Sequence, residues 1–289
     1  MECVALPYRC LTLILINRLI ETTSREIIMN EKQIIQCGDE LYDAMRQRQP
    51  IRPFTERFDD FTIDDAYHVS LRMVERRVQS GERIIGKKIG VTSKAVQNML
   101  NVFQPDFGYL TDSMAYSEGE EMPISKLLMQ PKAEGEIAFI LKKDLMGPGV
   151  TNADVLAATD CVIPCFEVVD SRIENWEIKI QDTVADNASC GLFMLGDRAI
   201  SPRKIDLTTC GMVVEKNGSI ISTGAGAAAL GSPINCVTWL ANTLGKFGIP
   251  LKAGEVILSG SLVPLEPVKA GDHMSVSIGG MGSASVRFV

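Results

Sequence analysis

Glu134 and Glu136 flank Gly135 in the run QPKAEGEIAFIL, and Glu167 stands in CFEVVD. If the first run is a β-strand, both of its glutamates leave one face, about 6 to 7 Å apart along the backbone. Glu167 is embedded among apolar residues, where a carboxylate costs free energy unless a cation, a proton or hydrogen-bond donors meet it. Three such carboxylates in a chain with only two histidines point to a hard, oxygen-ligated divalent ion, magnesium or manganese rather than zinc. Ligand type alone also admits calcium. The ordinary alternative puts Glu134 and Glu136 on a solvated strand face and pairs Glu167 with Lys132 or Arg172.

Other residue types could take part. A desolvated Lys88 ammonium can orient a carboxylate, or transfer a proton if its pKa is lowered; a surface lysine is the commoner case, and Lys87 is expected to be the exposed one of the pair. Asp106, in QPDFG, sits in a loop composition that can hold a carboxylate against an apolar wall and tune it as an acid or base. It can equally stabilise a turn. The stretch DNAS, Asp186 to Ser189, offers polar contacts to a substrate or an Asx turn. Ser259, Gly260 and Ser261 follow the apolar run VIL, where hydroxyls and backbone donors can meet an anion.

Several chemistries are excluded. His68 falls in a helical pattern and reads as a helix-surface residue, and His273 falls in a GDH turn, so no Ser-His-Asp or Cys-His nucleophile is assembled. The Gly-rich TGAGAAALGSP lacks the Lys-Ser/Thr ending of a P-loop, and no GxGxxG follows a strand in the βαβ context of a dinucleotide site. A net charge of −7 without long Lys/Arg clusters argues against nucleic-acid binding. The eight cysteines include no CxxC pair and read as buried thiols of a reducing, cytoplasmic compartment.

The elements that must position these residues are a helical N-terminal part and a β-rich remainder. Helical periodicity runs from about residue 30 to 83. Thr62 and Asp65 form a capping-box pattern ahead of the apolar face Ala66, Tyr67, Leu71, Val74 and Val78. After Gly81 short apolar runs alternate with Gly, Pro and Asp, as in strands and loops. Strands are expected over Glu134 to Leu141 and Val162 to Val169, with a helix capped by Asn152 between them and another from Pro233 to Gly245. Residues 1–28 read as a disordered extension, too short in apolar run for a signal peptide or membrane span, with Met29 as a candidate start. The chain then divides into a helical part, 29–85, and a β-rich catalytic part, 86–289.

Several ordered motifs resemble the 2-oxopent-4-enoate hydratases, also called 2-hydroxypenta-2,4-dienoate hydratases, of the fumarylacetoacetate hydrolase superfamily. They are GKKIGVTSKAVQNML, QPDFGYLTD, QPKAEGEIAFIL, CFEVVDSRI and DTVADNASCG, and the resemblance spans Met29 to Val289. It implies an α+β fold, with the helical part packed on a mixed sheet or roll around a divalent cation. The family's metal-binding acids fall on Glu134, Glu136 and Glu167, and its active-site lysine on Lys88. Asp106 stands where the related decarboxylases commonly lack Asp, which favours hydration. Ser189, Ser259 and Ser261 are the candidate substrate contacts. The implied substrate is a small 2-hydroxy or 2-oxo dienoic acid of aromatic meta-cleavage catabolism. Homo-oligomerisation, and a complex with the decarboxylase of that route, are the implied assemblies. The alternatives are a 4-oxalocrotonate decarboxylase of the same superfamily, and a non-catalytic small-acid-binding or assembly subunit.

Overall fold

The computed structural model describes residues 28–94, 97–98 and 102–289. All of the expected extension except Ile28 lies outside the described residues, as does part of the motif that follows Gly90.

Two helices open the described chain, α1 (Glu31–Gln47) and α2 (Ile63–Gln79). Each begins with a reciprocal capping box, Asn30 with Gln33 and Thr62 with Asp65, which satisfies orphan N–H groups at its N-terminus. Asp65 is fully buried because it also accepts the backbone N–H groups of Ile28 and Met29, at 3.1 and 3.0 Å. The apolar faces of α1 and α2 close on Phe54, Phe61, Ile173, Val184 and Ala185. The last two belong to the short helix Ile180–Ala185, so this part shares its core with residues far along the chain.

The strands are β1 (Ile84–Gly90), β2 (Asp106–Thr111), β3 (Ala115–Ser117), β4 (Glu121–Met122), β5 (Lys132–Leu141), β6 (Thr159–Val169), β7 (Leu192–Leu195), β8 (Gly211–Lys216), β9 (Ser219–Ala225), β10 (Val256–Leu258), β11 (Glu266–Pro267), β12 (His273–Ile278) and β13 (Gly282–Phe288). Two mixed sheets result. The larger runs β2-β1-β10-β5-β6-β7-β3 with β11 against β5, and the smaller runs β4-β13-β12-β8-β9. Both expected strands around the glutamates form, each extended at its N-terminal end by a few residues. Pro164 falls inside β6, opposite Ile137 and just past the last β6–β7 pair, Cys165 with Leu195. A missing donor there interrupts no ladder with β7.

Between β5 and β6 the helix Asn152–Ala158 is capped by Thr151 with Asp154, not by Asn152. Asn152 instead donates to Asn235 and accepts from Thr238, tying it to the helix Pro233–Gly245.

Register decides which side chains meet. One face of the large sheet carries Ile89, Phe107, Ile137, Phe139, Phe166 and Val168 into the main core, against Met212, Val214 and Val276 of the small sheet. The other face carries Lys88, Asp106, Glu134, Glu136 and Glu167, above a separate apolar patch of Leu110, Ala138, Cys165, Phe193 and Leu258. Gly135 is the point where the small sheet presses closest between the two glutamates: a Cβ there would lie 2.8 Å from Met212 Sδ and 3.3 Å from Val214 and Val276. Replacing Gly135 with Val should overpack this contact at a cost of about 1 to 3 kcal/mol. Thermal melting followed by circular dichroism should show a midpoint lower by several degrees; an unchanged midpoint would mean the sheets are not held at this distance.

Candidate metal centre and active site

Glu134 and Glu167 face each other across the β5–β6 ladder, and Glu136 stands one pleat repeat deeper. One carboxylate oxygen from each lies within 4.8 Å of the others, close enough to share one cation with modest side-chain adjustment. Glu136 and Glu167 are 0 and 1% exposed, whereas Glu134 keeps partial contact with solvent and marks the mouth. Gly260, at φ 95°, presents its N–H to Glu136 Oε2 at 2.8 Å. Three oxygens, Glu136 Oε1 and both of Glu167, are buried without a hydrogen-bond partner, and of these only Glu167 Oε1 has an ion-pair partner, Lys88. Unpartnered carboxyl oxygens in a dry site are costly, so the donor set fits a hard divalent cation.

The ordinary alternative for Glu167 does not occur. Arg172 pairs with Asp186, Lys132 lies over the Trp176 ring, and Glu167 meets Lys88, whose Nζ is 3.2 Å from Oε1. Burial is the largest influence and works against the Lys88 ammonium, but Glu167, Cys190, Asp106 and Glu134 together outweigh it, and Lys88 is held above its ordinary value. In the metal-free protein Lys88 is therefore a cation, and the carboxylates around it oppose the lowered pKa that proton transfer from it would need. Burial pushes Glu134 up to about 8, with the Glu167 charge adding to it and Lys88 opposing. Glu136 is raised well above the carboxylate range by burial and by its two neighbouring glutamates. Like charges in one dry place resist ionising together.

Asp106 opens β2 opposite Gly90. Its carboxyl group lies so close over Gly90 that any Cβ there would collide with Oδ1, and that Cβ would sit 3.5 Å from Lys88 Nζ. Both Asp106 oxygens are buried and unpartnered. Burial pushes the group up to about 6, against the pull of Lys88.

The 186–190 segment closes the site from one side. Asn187, Ala188 and Ser189 all take left-handed backbone, φ 52, 51 and 54°, a conformation unfavourable for residues with a Cβ. Asn187 fixes it by exchanging two hydrogen bonds with the Tyr109 backbone, at 2.8 and 2.9 Å. Arg172 fixes it from the other side, pairing with Asp186 and donating to the carbonyls of Cys190 and Asp186. Gly108 lets the turn approach β2, since a Cβ there would collide with Asn187 O and lie 2.7 Å from Cys190 Sγ.

Of the candidate substrate contacts, Ser189 and Ser259 are buried with unpartnered hydroxyls. Ser261 is engaged in its own turn, donating to Val263 O and accepting from Val263 N–H. Two expectations need correction. Lys87 is 2% exposed rather than solvated: alternation turns it to the opposite face from Lys88, where both Glu255 oxygens lie 2.7 Å from its Nζ. His68 is on α2 as expected but is buried, its Nδ1 against Asp64 O at 2.7 Å. The clamp formed by Arg172 and Asp186 was missed from sequence. Its only signal is that the arginine stands next to last in one motif, CFEVVDSRI, and the acid lies in the next, DTVADNASCG, an order that does not by itself say the two pair.

The chain matches the family model described as fumarylacetoacetate (FAA) hydrolase C-terminal over residues 85–289. A Pseudomonas putida protein named 2-hydroxypent-2,4-dienoate hydratase is 75% identical over 76% of this chain and 100% of its own length. A Comamonas testosteroni protein named 2-hydroxyhexa-2,4-dienoate hydratase is 58% identical over 90 and 99%. Among solved structures, 4-oxalocrotonate decarboxylase from Pseudomonas putida G7, complexed with magnesium and adipate, superposes with a TM-score of 0.88 at 38% identity, covering 91% of this chain and 100% of that one.

The buried charges can be tested through stability. A carboxyl whose folded pKa lies above its unfolded value stabilises the fold fully only below the unfolded value, near 3.9. It loses that contribution as pH climbs through the folded value. In metal-free protein Asp106→Asn should thus gain stability relative to the unmodified chain between about pH 4 and 7, approaching about 3 kcal/mol. Urea denaturation across that range measures it, and a pH-independent difference would contradict the assignment. Arg172→Met strands the buried Asp186 carboxylate and should cost about 3 to 5 kcal/mol, read as a lower denaturation midpoint; a loss under about 1 kcal/mol would mean Asp186 finds another partner.

Proposed function

The chain belongs to the fumarylacetoacetate hydrolase family, and on that premise we propose that it is a hydro-lyase adding water to 2-hydroxypenta-2,4-dienoate, giving 4-hydroxy-2-oxopentanoate. The observation that carries this reading is the convergence of Glu134, Glu136 and Glu167 beside Lys88 and an unpartnered, buried Asp106. The names of the relatives at 58 and 75% identity support it.

Glu134, Glu136 and Glu167 would hold magnesium or manganese. Such an ion supplies positive charge to the substrate carboxylate and the oxygen beside it, favouring the form in which that oxygen carries negative charge. Lys88 keeps Glu167 oriented and adds a second fixed positive charge next to the reacting oxygen. Asp106, titrating near 6, is poised to exist in both protonation states near neutral pH. As the neutral acid it gives a proton to the far carbon of the dienol, while the enol proton passes to solvent, producing an unsaturated ketone. As the carboxylate it then takes a proton from the water that adds at the neighbouring carbon, and the carbon next to the ketone takes one proton back from solvent, so that the sum is one water added. Ser189 and Ser259 have hydroxyls free to bind substrate oxygens.

Decarboxylation of an oxalocrotonate uses the same electron sink, and the fold neighbour with TM-score 0.88 bears that name. Asp106 favours the hydratase, because addition of water needs a proton carrier on the substrate's distal side and loss of carbon dioxide does not. We further place the enzyme in the cytoplasm as a homo-oligomer, with the decarboxylase of aromatic meta-cleavage as a candidate partner. Among the described residues no helix is long and apolar enough to cross a membrane, and the described cysteines are free.

The test is turnover of the dienoate with product identification by NMR, with and without magnesium or manganese. Glu134→Gln and Glu167→Gln should each lower kcat/KM by about 100-fold or more and weaken metal binding in calorimetry. Asp106→Asn should lower kcat by about 10² to 10⁴ and leave metal affinity within a few-fold. Carbon dioxide release from the diacid without hydration of the dienoate would favour the decarboxylase. Tight binding without turnover would favour a binding subunit, and activity surviving both glutamate substitutions without metal would overturn the site.

A further inference from the structure

Lys132 opens β5 two residues before Glu134, so it leaves the same face about 6 to 7 Å farther out. It is half-buried, with its Nζ 4.2 Å from the centroid of the Trp176 ring. Among the described residues no carboxylate pairs with it, whereas Lys87, Lys88, Arg172 and Lys216 each have one. Trp176 is itself fixed in place. Its Nε1–H donates to Gln130 O at 3.1 Å, and Asn175 and Trp176 take positive φ of 55 and 57°. An ammonium resting on a rigid aromatic face is held by the ring quadrupole without spending its hydrogen-bond donors.

The charge balance below it gives this cation a use. Among the described residues, Asp106, Glu134, Glu136 and Glu167 share one paired ammonium, Lys88. With Asp106 in the neutral form that donates the proton, a bound divalent cation and Lys88 just balance Glu134, Glu136 and Glu167, so an entering carboxylate brings a negative charge that is left for Lys132 to meet. We propose that Lys132, held over Trp176, is the rim cation that admits carboxylate-bearing substrates to this site and sets its preference for them over uncharged analogues. The inference rests on the reading of the site as one for a small anionic 2-oxo or 2-hydroxy acid. Lys132 acts on approach and binding, so its effect falls on kcat/KM and KM rather than on kcat. It is a specificity residue and not part of the proton-transfer machinery.

The experiment uses the full-length, metal-loaded protein and its Lys132→Gln, Lys132→Arg and Trp176→Leu forms. Hydration rates are measured from about 0.02 to 0.5 M ionic strength. Lys132→Gln should lower kcat/KM about ten-fold at low salt, with the gap closing to within about two-fold at high salt and kcat changed less than about two-fold. Lys132→Arg should restore most of the loss, and Trp176→Leu, which frees the ammonium to wander, should fall between. In parallel, calorimetry compares 2-oxopentanoate, which has no double bond to hydrate, with its uncharged amide. Lys132→Gln should weaken the acid several-fold and leave the amide unchanged. Equal salt dependence in Lys132→Gln and the unmodified protein, or equal affinity for 2-oxopentanoate, would overturn the proposal. If the unmodified protein hydrates no dienoate, the functional reading fails, while the calorimetric comparison still decides the role of Lys132.

Discussion

Gathering three carboxylates around one point, two of them buried, is the constraint on which the rest of this molecule depends. Two of them carry oxygens with no hydrogen-bond partner, and among the described residues the cation paired with the group is Lys88, 3.2 Å from Glu167. Like charges in a dry site raise one another's pKa, and Glu134 and Glu136 both respond in that direction. An arrangement of this kind lowers the stability of the free protein and is relieved when a cation or a proton arrives. The fold must therefore supply enough rigidity elsewhere to keep the acids together.

Much of that rigidity comes from close approach at a few glycines and from one buried ion pair. Gly135 admits the small sheet behind the glutamates, Gly90 admits the Asp106 carboxyl group, and Gly108 admits the left-handed turn of Asn187 to Ser189. The Arg172–Asp186 pair and the Asn187–Tyr109 exchange hold that turn from both sides. Backbone held in a sparsely populated conformation costs of order 1 to 3 kcal/mol per residue. Three such residues in succession persist because their polar neighbours over-determine the turn, and the same neighbours bring Ser189 to the buried face with its hydroxyl unspent.

The two lysines of GKKIG divide the work of one strand. Alternation sends Lys88 to the acidic face and Lys87 to the other, where Glu255 meets it and Tyr109 lies 5.8 Å away. Both ammonium groups are buried and both are paired, but only one is near the chemistry. Burial depresses Lys87 more than Glu255 raises it, whereas the crowd of carboxylates around Lys88 reverses the balance. Adjacent residues of one type thus differ in electrostatic state through strand parity alone.

Local signals in the sequence were enough for the capping box at Thr62 and Asp65, the helix Pro233–Gly245, both long strands and the shared face of Glu134 and Glu136. Each depends on spacing within a few residues, where backbone geometry is nearly fixed. Apolar surroundings singled out Glu167 and loop composition Asp106, while the motifs around them carried the family and, through it, weighted Lys88 over an ordinary surface lysine. The exposed Lys87, the surface His68 and the helix cap at Asn152 were misread, because burial and hydrogen-bond partners come from elements remote in the chain. For the same reason the sequence left open whether Glu167 met Lys132, Arg172 or an ion. Its partner Lys88 lies on β1, far back along the chain, and only the register of β1, β10, β5 and β6 brings the two together. What the sequence by itself determined is the set of acids and the strands that carry them. Tertiary structure alone decided that they converge, since convergence is a property of strand order and register, which no spacing along the chain encodes.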